Sequence, residues 1–245
     1  MRKCLAGVLL AVSVLLGSIL PAAAETGLEH FTVRSGDPES KKIAITMDDF
    51  NQPEWGWATL ELCKQYGITM TFFPNGRNIY EEDADHWRDA VDSGCEIASH
   101  GYDHSSLSKI SDRWSVLWLL GKHQQQLDKV LGYHYQIRWY RPPFGNLADP
   151  DGSERTHMET LKKFGYEHIV LWTVSETDPK KAFSKVKNGS ILLYHARKKD
   201  YECLAELIPQ LLEAGFEPVT LSEMFGYDPP ETGEELYVYS KEDYR

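Results

Sequence analysis

The feature that most constrains the fold is a regular alternation of helical and β-type segments, in which each helix ends at a glycine. The amphipathic segments that end in this way are 55–66, 86–93, 114–131, 157–164, 180–187 and 202–214. Glycine just past a helix favours the left-handed backbone that terminates it. β-type segments lie near 43–47, 68–73, 95–99, 136–140, 166–174, 190–194 and 216–220. The pattern predicts an α/β fold with parallel strands, either a barrel or a doubly wound open sheet.

The first residues have the pattern of a secretory signal peptide. Arg2 and Lys3 precede an apolar run from residue 4 to 20, and alanines at 22–24 form a small-residue cleavage site. We therefore expect residues 1–24 to be removed and the mature protein to be secreted, extracellular or associated with the cell wall. The alternative is an uncleaved anchor, because the apolar run is about the minimum length that spans a bilayer. After cleavage, no membrane insertion is expected.

The rest of the chain is long enough for a single domain with a sizeable core. We predict an N-terminal extension at 25–40, a domain at 41–227 and an acidic, extended C-terminal tail at 228–245. The net charge of −11 argues against nucleic acid as a partner. We expect a monomer.

Three cysteines remain once Cys4 leaves with the signal peptide, and no Cys-x-x-Cys spacing exists. A thiolate metal site or a redox motif is therefore not indicated. Buried thiols at Cys63, Cys95 and Cys203 are the favoured interpretation, and at most one internal disulfide is the alternative.

Polar side chains occur where the predicted strands end. The set consists of Asp48, Asp49, His100, His104, Arg141, Asp178 and His195. In a sheet of parallel strands, the carboxyl ends share one rim, so residues far apart in sequence can meet there. The sequence therefore predicts one site at this rim.

The histidines in this set suggest a metal site. His100 and His104 are four residues apart, so both rings can face one ion on a helical turn. With Asp49 they give two imidazoles and a carboxylate, a common ligand set for a hydrolytic Zn²⁺. Asp48 points differently from its neighbour at the strand end and is a candidate general base for the attacking water. The alternative is that the two aspartates only cap the next helix or form a turn.

Five short motifs in this order resemble those of the polysaccharide deacetylases of carbohydrate esterase family 4, the NodB-homology group. They are Thr46-Met47-Asp48-Asp49, Thr71-Phe72-Phe73, His100-Gly101-Tyr102-Asp103-His104, Arg141-Pro142-Pro143-Phe144-Gly145 and Leu193-Tyr194-His195. The resemblance extends over about residues 41 to 225. It implies a distorted (β/α)7 barrel, which agrees with the number of predicted strands.

The resemblance also implies a role for each motif residue, with the metal ligands as above. Asp48 would be the general base, oriented by Arg141, and His195 the general acid. Asp178 would pair with His195 and favour its protonated form. The backbone N–H of Phe144 would bind the oxyanion together with the metal. Two further residues are expected beside the substrate: Tyr102 and Leu193.

Several positions depart from the family pattern. Gly101 replaces Ser or Thr, which removes a hydroxyl that would brace the loop carrying His100. Ser175 replaces Asp, Pro179 replaces a Trp of the substrate wall, and Phe50 replaces Gly. These departures predict a substrate pocket of different shape around an intact set of catalytic groups.

Aromatic residues are expected mainly in the core or at its rim. This interpretation is favoured over sugar stacking for Trp55, Trp57, Trp139 and Tyr140. In the longest predicted helix, apolar residues recur at helical spacing: Trp114, Leu117, Leu120, Leu127 and Leu131.

The resemblance implies hydrolysis of acetyl groups on an acetylated polysaccharide. N-acetylglucosamine-type chains of peptidoglycan, a chitin-like polymer or an exopolysaccharide are the first expectation, and O-acetylated xylan is an alternative. Two alternatives from other classes are a carbohydrate-binding pseudoenzyme with the same barrel and a structural secreted barrel.

Overall fold

A computed structural model of the protein describes residue 28, residues 30–148 and residues 155–238. The predicted signal peptide at 1–24 and the last part of the predicted tail lie outside these residues. Within them, no helix combines the length and apolar character that crossing a membrane requires.

The described chain alternates strands and helices, as predicted. Its strands are β1 Thr32–Val33, β2 Lys42–Asp49, β3 Thr71–Pro74, β4 Glu96–Ile97, β5 His134–Tyr135, β6 Trp139–Tyr140, β7 His168–Val170, β8 Ile191–His195, β9 Glu217–Val219 and β10 Thr232–Gly233. Its helices are α1 Pro53–Tyr66, α2 Ala84–Asp92, α3 Arg113–Leu131, α4 Arg155–Phe164, α5 Pro179–Lys185, α6 Lys198–Glu213 and α7 Leu221–Phe225.

Strand β2 is the centre of the main parallel sheet. It pairs with β3, β8 and β9, and β4 pairs with β3. A second sheet contains β1, β7 and β6. Isolated parallel bridges join the sheets at Ser99–Tyr140, just after β4, and at Val174–Leu192, beyond the end of β7. Through these segments the pairing runs β2, β3, β4, β6, β7, β8 and back to β2. This arrangement, together with the similar solved structures described below, confirms the distorted (β/α)7 barrel.

The helix ends agree with the glycine pattern. All six glycines that follow the predicted helices have positive φ, from 64° at Gly67 to 116° at Gly165. The helix predicted at 114–131 is α3; its Leu117 and Leu120 are buried, whereas Trp114 is 44% exposed.

Both ends of the described chain are tied to the barrel. In the predicted N-terminal extension, β1 pairs with β7 at Thr32–Ile169 and Val33–Val170. In the predicted tail, β10 pairs antiparallel with β5, and the Tyr237 N–H donates to Asp128 Oδ2 at 2.8 Å. The acidic tail therefore contacts the barrel at Thr232–Gly233 and at Tyr237.

Candidate active site

The site forms where the strands of the barrel end. Strand register places Asp48 opposite His195 of β8, and Asp49 opposite Pro74 of β3. Strand β2 is buried along nearly its whole length, so its last residues are fixed by the core beneath them. The structure thus brings residues from β2 and β8 to one rim, as the sequence predicted.

Asp49, His100 and His104 form a cluster suited to one metal ion, with ligand atoms within 4.8 Å of one another. Asp49 Oδ1 lies 3.6 Å from His100 Nε2 and 3.4 Å from His104 Nε2. Ligands about 2.0–2.1 Å from a tetrahedral Zn²⁺ would be separated by roughly 3.4 Å. The donor set and its spacing therefore fit such an ion.

The neighbours of these ligands orient them. Nδ1 of His100 lies 2.8 Å from the Arg141 carbonyl oxygen and donates to it, which leaves the Nε2 lone pair free for a metal. Burial lowers the pKa of His100, although the charges of Asp48 and Asp49 oppose the shift. Asn75 Nδ2 donates to Asp49 Oδ1 at 3.2 Å.

The backbone at the site is strained. Among non-glycine residues of the described chain, five have positive φ, and four of them lie here: Asp49 at 75°, Phe50 at 60°, His104 at 64° and Phe144 at 63°. Such conformations cost energy and persist where the surroundings hold them.

Two asparagines hold the strained turn after β2. The Asp49 carbonyl oxygen accepts from the Asn75 N–H at 3.2 Å and from Asn78 Nδ2 at 2.8 Å. Sequence reasoning missed both asparagines. The available signal was their position just after β3, where polar residues of a parallel sheet collect.

Phe50 does not shape the substrate pocket, contrary to the prediction from its replacement of glycine. Its ring is fully buried and contacts Trp57, Phe72 and Trp87, with centroids 4.8–5.4 Å apart. Gly56 makes room for it, because a Cβ there would lie 2.3 Å from Phe50 Cε1. The core therefore accommodates the Phe50 side chain, although the backbone at this position is left-handed.

Asp48 and Arg141 form a buried ion pair. Arg141 Nη1 donates to Asp48 Oδ1 at 2.7 Å and to Thr46 Oγ1 at 2.8 Å, and its Nε donates to the Val170 carbonyl at 3.2 Å. Burial lowers the pKa of Arg141, and the adjacent Asp48 carboxylate opposes that shift. The other carboxylate oxygen, Asp48 Oδ2, lies 3.8 Å from His100 Nε2 and is directed towards the metal ligands.

His195 does not pair with Asp178, so this prediction is corrected. Asp178 is an exposed cap of α5, and its Oδ1 accepts from the Lys181 N–H at 2.9 Å. The start of α6 instead supplies the neighbours of His195: Arg197 caps the helix and Asp200 lies in its first turn. Arg197 Nη2 donates to His195 Nδ1 at 2.7 Å, and Asp200 Oδ1 lies 3.7 Å from the same atom.

Asp200 is fixed in this position. Its Oδ1 accepts from the His195 N–H at 2.9 Å, and its Oδ2 lies 3.3 Å from Arg197 Nε. Burial acts to raise the pKa of Asp200, but hydrogen bonds from His195 and the charge of Arg197 outweigh burial and leave the pKa lowered. Sequence reasoning missed Arg197 and Asp200 because both lie beyond the strand end, Arg197 just before α6 and Asp200 in its first turn.

Backbone contacts replace the hydroxyl that Gly101 lacks. The carbonyls of Gly101 and Tyr102 accept from the N–H groups of Gly76 and Arg77, both at 2.9 Å. The Gly101 N–H donates to Ser99 Oγ at 3.2 Å. The loop that carries His100 and His104 is therefore held without a side chain at position 101.

The remaining predicted site residues differ in exposure. Phe144 is 70% exposed, and its ring centroid lies 4.6 Å from that of His104. Leu193 is buried and its N–H donates to the Val174 carbonyl. Tyr102 is half-buried. Trp57, Trp139 and Tyr140 are buried, as expected of core residues.

Comparison with known proteins agrees with this geometry. The profile of the polysaccharide deacetylase family matches residues 35–169, more than half of the chain. The chain belongs to the polysaccharide deacetylase family. This membership confirms the resemblance to carbohydrate esterase family 4 that the motifs indicated.

Several curated proteins are similar over most of the chain. The peptidoglycan-N-acetylglucosamine deacetylase of Bacillus cereus is 28% identical over 78% of this chain and 91% of its own length. The uncharacterized protein YlxY of Bacillus subtilis is 24% identical over 84% of this chain. The chain spans only 64% of YlxY, and 39% of the Bacillus subtilis peptidoglycan-N-acetylmuramic acid deacetylase PdaC.

Solved structures of the same family share the fold. The Bc1960 peptidoglycan N-acetylglucosamine deacetylase has a TM-score of 0.69 and 24% identity, covering 82% of this chain and 95% of its own. A family 4 carbohydrate esterase from Bacillus anthracis has a TM-score of 0.65 and 27% identity, covering 81% and 89%. A pseudoenzyme of the family from the same organism has a TM-score of 0.67 and 23% identity, covering 79% and 68%.

Proposed function

We propose that the protein is a secreted, metal-dependent deacetylase that removes N-acetyl groups from the glucosamine-type sugars of a polysaccharide, with peptidoglycan the first candidate. The observation that carries this proposal is the joint arrangement of a three-ligand cluster and a buried, oriented carboxylate. Asp49, His100 and His104 would hold the ion, and Asp48 lies beside them in an ion pair with Arg141.

Zn²⁺ is the proposed metal, because two imidazoles and one carboxylate with open positions suit its hydrolytic sites. When bound, it would acidify water and polarise the acetyl carbonyl. The protein side chains supply the proton transfers. Asp48 would take a proton from water as the water oxygen attacks the acetyl carbon, because Arg141 holds one carboxylate oxygen and leaves the other directed towards the ligands.

Collapse of the tetrahedral intermediate breaks the bond between the carbonyl carbon and the sugar nitrogen. His195 would donate a proton to that nitrogen, and acetate and the free amine leave. Nε2 would be the donating atom, because it is the ring nitrogen that Arg197 does not contact. The Phe144 N–H would donate to the oxyanion, and Tyr102 and Leu193 would lie near the sugar.

The test is acetate release from a panel of acetylated glycans: peptidoglycan, chitin oligomers, an N-acetylated exopolysaccharide and acetylxylan. Activity on the N-acetylated members that a chelator abolishes and Zn²⁺ restores is the expected result. Release from acetylxylan alone would identify an O-acetyl esterase instead.

A carbohydrate-binding pseudoenzyme is the second candidate. The observation that favours it is the guanidinium of Arg197 at His195 Nδ1, since a cation there opposes the protonated ring that the leaving group needs. Glycan binding with bound metal, and no acetate release from any member of the panel, would identify this function.

A further inference from the structure

A cleft outside the metal cluster lies between α3 and the C-terminal tail. Its volume is about 400 Å³, within the usual range for small-ligand sites. Tyr102, Lys122 and Gln125 line it on the side of the barrel, and Leu236 and Val238 line it on the side of the tail. The two tail residues are 45% and 69% exposed, so the cleft has an apolar wall that solvent reaches.

The aromatic side of the cleft connects it to the candidate active site. Tyr102 lies in the loop between His100 and His104, and its ring centroid lies 5.9 Å from that of Trp118. Trp118 is 40% exposed and lies one helical turn before Lys122 on the outer face of α3. Tyr102 therefore belongs both to the metal-ligand loop and to the lining of the cleft, and Trp118 lies beside it.

The polar groups of the cleft include hydrogen-bond donors that the fold does not use. Gln126 donates to the Ile79 carbonyl at 2.7 Å, and Lys129 pairs with Glu81. Lys122 and Gln125 also line the cleft, and within the described part of the chain their side chains make no polar contact. Their amine and amide can donate to a ligand.

We infer that this cleft binds a sugar unit of the polysaccharide chain at a distance from the acetyl group that is hydrolysed. A pyranose ring has an apolar face that stacks on aromatic side chains, and hydroxyl and carbonyl oxygens that accept hydrogen bonds. Trp118 and Tyr102 offer rings on which a sugar can stack, and Lys122 and Gln125 offer hydrogen-bond donors. The inference rests on the proposed function, and it makes the substrate a polymer rather than a short acetylated sugar.

The test compares kcat/KM for N-acetylglucosamine oligomers from the dimer to the hexamer. Trp118→Ala and Lys122→Ala are each expected to lower kcat/KM for the hexamer by about tenfold, with a smaller loss as the oligomer shortens. Trp114→Ala is the matched control, because it removes an equally exposed indole one turn earlier, and it is expected to match the wild type. An equal loss on all oligomers, or no loss in either cleft variant, overturns the inference.

A binding measurement separates this inference from the deacetylase proposal. Calorimetric titration of the hexamer into the Asp48→Asn protein does not require turnover. Adding Trp118→Ala or Lys122→Ala to that protein is expected to weaken hexamer binding about tenfold, even if the wild type releases no acetate. Unchanged hexamer affinity in both double variants contradicts the inference that the cleft binds a sugar unit, whether or not the wild type releases acetate. Each variant is compared by thermal unfolding, and Lys122→Ala decides the question if Trp118→Ala is unfolded.

Discussion

Arg197 Nη2 lies 2.7 Å from Nδ1 of His195, closer than the carboxylate of Asp200 at 3.7 Å. The guanidinium can only donate, so it occupies the lone pair of Nδ1 and leaves the proton of the neutral ring on Nε2. The imidazole is therefore next to one positive and one negative charge, and the effect of each charge can be tested separately.

Removing either charge is expected to move the alkaline limb of the pH profile of kcat/KM. Arg197→Ala removes a positive charge that opposes the protonated ring, so the limb should move to higher pH. Asp200→Asn removes a negative charge that favours it, so the limb should move to lower pH. Shifts in the same direction in both variants would contradict this account.

Asp178→Asn tests whether Asp178 is a partner of His195. Because Asp178 caps α5 and does not contact His195, the pH profile should keep its wild-type shape. A loss of about 1 kcal/mol in the free energy of unfolding is expected at most, as for a weakened helix cap. A displaced alkaline limb in this variant would restore Asp178 as the partner.

Asp48 and Asp49 should separate metal binding from turnover. Asp48→Asn is expected to keep the metal and lose on the order of 10²-fold or more in rate, because proton abstraction fails. Asp49→Ala and His100→Ala should lose both. Elemental analysis and acetate release are measured on the same preparations, and an empty site in Asp48→Asn would reverse the two roles.

We expect the free energy of unfolding to depend on pH because of the buried side chain of His123. Its Nε2 lies 3.0 Å from the Pro74 carbonyl, and burial lowers its pKa from 6.5 to about 4. Since the unfolded chain binds this proton more readily, stability is complete above pH 6.5 and falls as the pH drops towards 4. The shift corresponds to a loss of about 3 kcal/mol.

Chemical unfolding of His123→Gln between pH 7 and 4 measures this contribution. The variant should show a flatter dependence than the wild type. His86→Gln changes an exposed histidine and serves as the control, with the wild-type slope expected.

Gly56→Ala should destabilise the protein although alanine normally favours a helix interior by up to about 1 kcal/mol. A Cβ at this position meets the buried ring of Phe50, and overpacking of that kind costs about 1–3 kcal/mol. In a Phe50→Leu background the cost should shrink. Both backgrounds are measured by urea unfolding. An equal loss in the free energy of unfolding in both would contradict the claim that Gly56 makes room for the Phe50 ring.

The sequence predicted the alternation of strands and helices and the rim where Asp49, His100 and His104 meet, because periodicity and strand ends are local properties. It did not predict Asp200 or Arg197, since their contact with His195 depends on how α6 turns after β8. Nor did it predict that Phe50 points inward, which is set by φ rather than by residue type.

The residues that hold the candidate site in place are separate from the outer surface of the protein, so the two can vary independently. Asn75 and Asn78 hold the turn at Asp49 from beneath, and Arg141 holds Asp48 from the barrel interior. The exposed face of α3 and the tail take no part in that bracing. Selection can therefore rebuild the outer surface for a new polymer while the reacting groups keep their positions.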